Sequence, residues 1–274
     1  FERLAARVPV LTVGGNHELV AGENWQQYNL RYPMPHRQSG SLSNLWWSRD
    51  VGPVHLIGLC SYCASHKRSL QQRWLRRDLL RIDRSVTPWL VVLTHVPFYH
   101  SSTLHASEAE LMRYHLEGLL FDAGVDIVLA GHLHAYERTE PLFAGAHHPC
   151  GPVHLTLGDG GNREGAALPW RYPPPSWSAF REGTFGIGGL TIVNATHAKY
   201  EWRRTACESR QAKDHVELGQ ASRPSPSACL SSSRGCASES PPHVCAPMSM
   251  AGVRLIRRRP WSGPILAAAR VVAG

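Results

Sequence analysis

Three times in this chain a short apolar run of strand length ends in a side chain suited to holding a metal ion, and this repetition constrains the fold more than any other feature. Residues 10–13 lead through Gly14-Gly15 into Asn16-His17-Glu18, residues 90–94 into His95, and residues 127–130 through Gly131 into His132-Leu133-His134. In open α/β sheets the binding pocket lies beyond the carboxyl ends of the strands, so three segments distant in sequence can converge there. A buried sheet core has no ordinary use for polar groups at three such places.

The rest of the pattern agrees with an α/β or mixed sandwich body. Strands are expected at residues 8–13, 54–59, 89–94, 125–130, 153–157 and 190–194. Between them, 70–82 places Leu70, Trp74, Leu75, Leu79 and Ile82 near helical spacing. Residues 108–121 do the same with Leu111, Met112, His115, Leu116, Leu119 and Leu120, and Gly124 stops that helix before the next strand. The hydrophobic fraction of 43% and the nine Trp provide for a substantial core. The expected organisation is an ordered unit over 1–205 and a low-complexity, mostly disordered tail over 206–274, where Pro and Ser recur and Phe and Tyr do not occur. Residues 266–272 are the one stretch there with the makings of a short element.

Charge and cysteine usage exclude several classes. The net charge of +8 divides into +5 in 206–274 (nine Lys and Arg against four Asp and Glu) and +3 in the other 205 residues. The basic cluster Arg257, Arg258, Arg259 has only Trp261 beside it and reads as a solvated charge run, so no nucleic-acid partner is expected. No run of 18 apolar residues occurs, so no membrane partner is expected either, and no signal peptide is visible in these residues. Of the seven Cys, Cys60 and Cys63 have CxxC spacing, but no helix opens directly on them as in redox motifs, and they read as ordinary buried or loop thiols. Asn194-Ala195-Thr196 is a glycosylation acceptor sequence.

The paired histidines carry the chemistry. In an extended stretch residues two apart project to the same side, so His132 and His134 are expected to face one site while Gly131 lets the backbone approach it. Imidazoles with a carboxamide suit one borderline divalent metal. A two-metal hydrolase also needs a shared oxygen ligand to hold its ions ~3.5–4 Å apart.

Taken together, GNHE at 15–18, VLTHVPFY at 92–99, GHLHAYER at 131–138, GDGGN at 158–162 and SAFREGTFG at 178–186 resemble the purple acid phosphatases, binuclear metallohydrolases of the calcineurin-like phosphoesterase superfamily. The resemblance runs from about residue 7 to 205. It implies an incomplete calcineurin-like metallophosphoesterase sandwich, mixed β-sheets flanked by helices. The implied function is hydrolysis of small phosphate monoesters at acidic pH, by attack of metal-bound hydroxide at a centre of Fe(III) plus a divalent metal (Zn, Mn or Fe(II)). By resemblance Asn16, His95 and His132 are ligands of the divalent ion, His134 is a ligand of Fe(III), His17 contacts the substrate phosphate, and His105 assists phosphate binding or protonates the leaving group. Leu104 stands where some members have a second His, and Phe185-Gly186-Ile187-Gly188 where some have FGHG. Location outside the cell or in a vacuole or lysosome is implied as well.

The family's DxG and GDxxY motifs, which give the ferric ion two Asp and a Tyr, occur nowhere in the 274 residues. Two readings follow: a purple-type acid phosphatase whose N-terminal part lies outside this sequence, or a catalytically inactive remnant. On either reading the chain alone is expected to bind at most one divalent ion, weakly.

Overall fold

The computed structural model describes residues 6–19, 22–166, 169–205, 214–219 and 268–271, the last four as backbone only. Thirteen strands follow in chain order: β1 (Trp47–Val51), β2 (Val54–Gly58), β3 (Trp89–Thr94), β4 (Ile127–Ala130), β5 (Tyr136–Thr139), β6 (Leu142–Phe143), β7 (Ala146–His147), β8 (Val153–Leu157), β9 (Ser178–Glu182), β10 (Gly186–Ile192), β11 (His197–Arg204), β12 (Asp214–Gly219) and β13 (Ala268–Val271). The helices are α1 (Gln26–Arg31), α2 (Leu70–Leu79) and α3 (Glu110–Asp122). A seven-stranded mixed sheet has the order β1-β2-β3-β4-β8-β5-β9, and a four-stranded antiparallel sheet the order β12-β11-β10-β13. Strands β2, β3, β4 and β8 are mutually parallel.

The two faces of the large sheet can be read residue by residue, because successive side chains on a strand point opposite ways. Leu90, Val92 and Val128 face the helices, joining Trp74 and Leu75 of α2 and Met112, Leu116 and Leu120 of α3. Trp89, Val91, Leu93, Ile127 and Leu129 face the second sheet and meet Leu190, Ile192, Tyr200 and Trp202. Burial on both faces is why β3 and β4 are continuous apolar runs and not alternating ones. The result is the expected mixed α/β sandwich.

Several local expectations differ from what forms. Residues 8–13 pair with no strand among the described residues. Their polar groups are met by side chains instead: Thr12 N–H lies 3.2 Å from Met34 Sδ, and Thr12 C=O accepts from Tyr28 Oη and Trp47 Nε1, both at 3.0 Å. On α2, Leu70 is exposed while Gln71 and Gln72 are buried. Hydrogen bonding reverses the periodicity there: Gln71 accepts from Cys60 N–H (2.7 Å) and donates to Cys60 C=O (3.1 Å), and Gln72 donates to His115 C=O (2.8 Å). Leu111 on α3 is likewise exposed. Cys60 and Cys63, read as thiols, form a disulfide, and Cys150 is disulfide-bonded too.

The boundary drawn at residue 205 leaves out β12, which pairs with β11, and β13, which pairs with β10 inside the stretch 266–272. Asp214 of β12 is buried and accepts from Tyr136 Oη (2.7 Å) and from Arg138 Nε and Nη2 (2.7 and 2.9 Å). The remainder of 206–274 lies outside the described residues.

A candidate metal centre at the strand ends

Strands β3 and β4 end side by side, tied by the bond from Gly131 N–H to His95 C=O at 3.0 Å. This presents His95 and His132 at adjacent positions on the sheet's carboxyl edge. His95 Nε2 lies 2.9 Å from Asn16 Oδ1 and 3.1 Å from His132 Nδ1. Asn16 arrives on a single 3-10 turn, Asn16–Glu18, whose start is held by Glu18 accepting from Gly15 N–H at 2.6 Å. Gly15 is required there, since a Cβ would come within 2.5 Å of the His95 ring. Gly158 does the same for the neighbouring loop, where a Cβ would meet Leu133 C=O at 2.0 Å.

The segment carrying His132 and His134 is not extended. Leu133 N–H bonds Gly131 C=O and Ala135 N–H bonds Leu133 C=O, both at 2.7 Å, and His132 has φ 64°, in the left-handed region. The equal projection expected from strand spacing is replaced by a coiled loop that aims His132 at His95. His134 is close enough to lower both His95 and His132 electrostatically, and its Nδ1 lies 3.8 Å from Glu164 Oε2. His17 is exposed at the rim. His105, also with positive φ (57°), packs its ring 4.4 Å from that of His132.

Three neighbours were not singled out from the sequence. Glu108 contacts His105 Nδ1 through one oxygen and lies 2.8 Å from His132 Nε2 through the other, at an angle that leaves this nitrogen without an aligned hydrogen bond. Its position three residues after His105 was the available signal. Ser61 Oγ accepts from His95 N–H and Val96 N–H, each at 3.0 Å, and the Tyr62 ring lies 5.9 Å from that of His95. Nothing in CSYC pointed to that role.

Burial drives the His95 imidazolium down to about 3, with His132 and His17 adding to the fall and Glu108 opposing it. Burial also lowers His132, against the pull of Glu108. Burial raises Glu108, but its contacts with His105 and His132 outweigh that, and its carboxyl is held below the ordinary value. Neutral imidazoles beside a carboxylate are the protonation states a metal requires of its ligands.

Tetrahedral bonds of 2.0–2.2 Å put ligand atoms about 3.3 Å apart, close to the separations of Asn16 Oδ1 and of His132 Nδ1 from His95 Nε2. His105, Glu108 and His132 form a second grouping, with one ligand atom of each within 4.8 Å of the others. A ferric ion finds no carboxylate pair among the described residues: the one carboxylate within 4 Å of His134 is that of Glu164, at 3.8 Å, and Asp159, the one Asp of GDGGN, accepts from Trp202 Nε1 at 2.7 Å.

Family profiles match over most of this body: "Calcineurin-like phosphoesterase" over residues 1–136 and "Iron/zinc purple acid phosphatase-like protein C" over 151–215. The chain belongs to the purple acid phosphatase superfamily of calcineurin-like metallophosphoesterases. It matches the C-terminal part of the catalytic domain. Purple acid phosphatase 18 of Arabidopsis thaliana is 46% identical over 219 residues, covering 78% of this chain and 50% of the relative. Purple acid phosphatase 22 of the same plant is 43% identical over 238 residues, covering 85% and 54%. This chain thus spans about half the length of the curated purple acid phosphatases it matches. Among solved structures, a purple acid phosphatase isolated from yellow lupin (Lupinus luteus) seeds superposes with TM-score 0.59 at 24% identity, over 65% of this chain and 34% of the other, which speaks for the fold.

Proposed function

We propose that this chain supplies the divalent-metal side and the substrate-facing histidines of a purple-type acid phosphatase acting on small phosphate monoesters. The observation that carries the reading is the convergence of Asn16, His95 and His132 on one point at the ends of β3 and β4. These three residues would hold a divalent ion (Zn, Mn or Fe(II)), which when bound supplies Lewis-acid neutralisation of phosphoryl charge. His17, exposed at the rim, is suited to donate to a phosphate oxygen. His105 reaches the same edge and is suited to hand a proton to the departing alcohol, with Glu108 fixing its ring. Leu104, exposed beside it, leaves that flank of the site apolar.

A second reading has its own support. Among the described residues His134 has no carboxylate closer than the 3.8 Å Glu164 contact, so these residues by themselves serve one ion, and no step is assigned to a ferric centre. The chain as it stands is accordingly a poor phosphomonoesterase without charge-transfer colour. Turnover of an aryl phosphate near pH 5, with visible absorption after iron loading, tests this; a violet band or enzyme-like turnover lost in His132→Ala would refute it.

A secretory or vacuolar setting agrees with the Cys60–Cys63 disulfide, a bond that persists in oxidising compartments. The acceptor Asn194 lies in an exposed turn after β10. No helix among the described residues is long and apolar enough to cross a membrane.

A further inference from the structure

We propose that the Cys60–Cys63 bridge is a positioning device for His95, acting through Ser61 and Tyr62, the two residues it encloses. The inference rests on the reading of His95 as a metal ligand. Leu59 N–H bonds Leu93 C=O at 2.9 Å, so the segment after β2 runs alongside the end of β3. Cys60, buried, is gripped at both its N–H and its C=O by the side chain of Gln71 on α2. The bridge returns Cys63 to this fixed point, 5.4 Å away between Cα atoms.

Both enclosed residues bear on His95. Ser61 Oγ accepts from two successive backbone N–H groups, those of His95 and Val96, at the point where β3 ends. That sets where the imidazole leaves the backbone. Tyr62 lies against one side of the ring, at 5.9 Å between centroids, and is itself backed by Trp25 at 6.5 Å. The backbone of Gly15 also lies against the ring, with no room for a Cβ. The ring is therefore in contact with both Tyr62 and Gly15 while Nε2 meets Asn16 Oδ1 and His132 Nδ1. Without the bridge, Ser61 and Tyr62 regain backbone freedom that must be given up again whenever an ion binds. A bridge serving stability alone would have no reason to enclose the two residues that touch the ligand.

The test is a cobalt(II) titration followed by visible absorption on four proteins: the parent chain, Cys60→Ser/Cys63→Ser, Ser61→Ala and Ser61→Thr. Substitution avoids thiol reductants, which would compete for the ion. Supporting groups around metal ligands typically carry 10–100-fold in affinity, so the double variant and Ser61→Ala should each bind cobalt at least about tenfold more weakly than the parent. Ser61→Thr, which keeps the hydroxyl, should retain the parent's affinity. Thermal unfolding without metal is recorded in parallel, since a purely structural bridge would lower the melting temperature and leave cobalt affinity unchanged; that result overturns the proposal. If the parent binds no cobalt, the reading of the site itself fails. The positioning claim is then decided by the His95 ring 1H–13C signals in metal-free protein: shifted and broadened in both weakened variants if it holds, unmoved if it does not.

Discussion

His132 shows how much a single residue is asked to do. It adopts a left-handed backbone that costs a non-glycine residue on the order of 1 kcal/mol, and in return its Nδ1 faces His95 and its Nε2 faces Glu108. Glu108→Gln keeps the size but removes the charge that links His105 and His132. It is expected to weaken zinc or cobalt binding by about tenfold, read by competition against a chromophoric chelator; unchanged affinity would show that the carboxylate is a bystander. Gly15→Ala is a sharper probe, because the added methyl needs the space of the His95 ring. It should abolish metal binding while costing about 1–3 kcal/mol of stability in a urea titration, the usual range for overpacking. Binding that survives would mean the ring can move without consequence.

Strands β3 and β4 were legible in the sequence because burial on both faces leaves a nearly uninterrupted apolar run with a sharp polar end. His95 and His132 follow the ends of β3 and β4, whereas Asn16 follows a stretch that forms no strand. Residues 8–13 have a similar apolar look, yet the backbone of Thr12 among them is met by Met34, Tyr28 and Trp47 side chains, a choice that no local pattern reveals. Exposed Leu70 and buried Gln71 misled the helical reading for a related reason: a glutamine bonding both backbone groups of Cys60 outcompetes an apolar neighbour for the interior. Ser61 was invisible as a site residue because it acts through His95, far away in sequence, whereas Glu108 lies only three residues from His105. Strand β12 was missed in a stretch short of aromatics; it is attached by its ladder to β11, by Val216 and Leu218 packed in the core, and by the ion pair of Asp214. Asp214→Ala removes the acceptor of half-buried Arg138 and of buried Tyr136, and breaking such a pair costs up to about 3–5 kcal/mol, the figure for a fully buried one. Urea unfolding measures it, and a loss below about 0.5 kcal/mol, typical of a surface change, would place β12 outside the cooperative body.

Across the whole molecule, buried ionisable groups predict how stability responds to acid. His154 on β8 is buried against Phe98 and Tyr99, neither of its ring nitrogens is hydrogen-bonded, and burial holds its imidazolium at about 3. Its folded value lies below the unfolded one of about 6.5, so the unfolded chain takes up the proton first. The stability this neutral ring contributes is present above pH 6.5 and lost as pH falls toward 3. Asp159 has the opposite sign: burial raises it from 3.8 to about 6, so its contribution is present below 3.8 and lost as pH rises through 6. By linkage the His154 effect alone costs about 2 kcal/mol on going from pH 8 to pH 5. His154→Leu should shrink the fall in unfolding free energy between those pH values by that amount, and an unchanged fall would contradict the assignment.

The central claim is that these residues assemble one divalent-metal site and not a pair. Equilibrium dialysis of the chain against zinc(II), followed by metal analysis of parent and His95→Ala, tests it most directly. The account predicts at most one zinc per chain, lost in His95→Ala, and two tightly held ions, or one that survives His95→Ala, would contradict it.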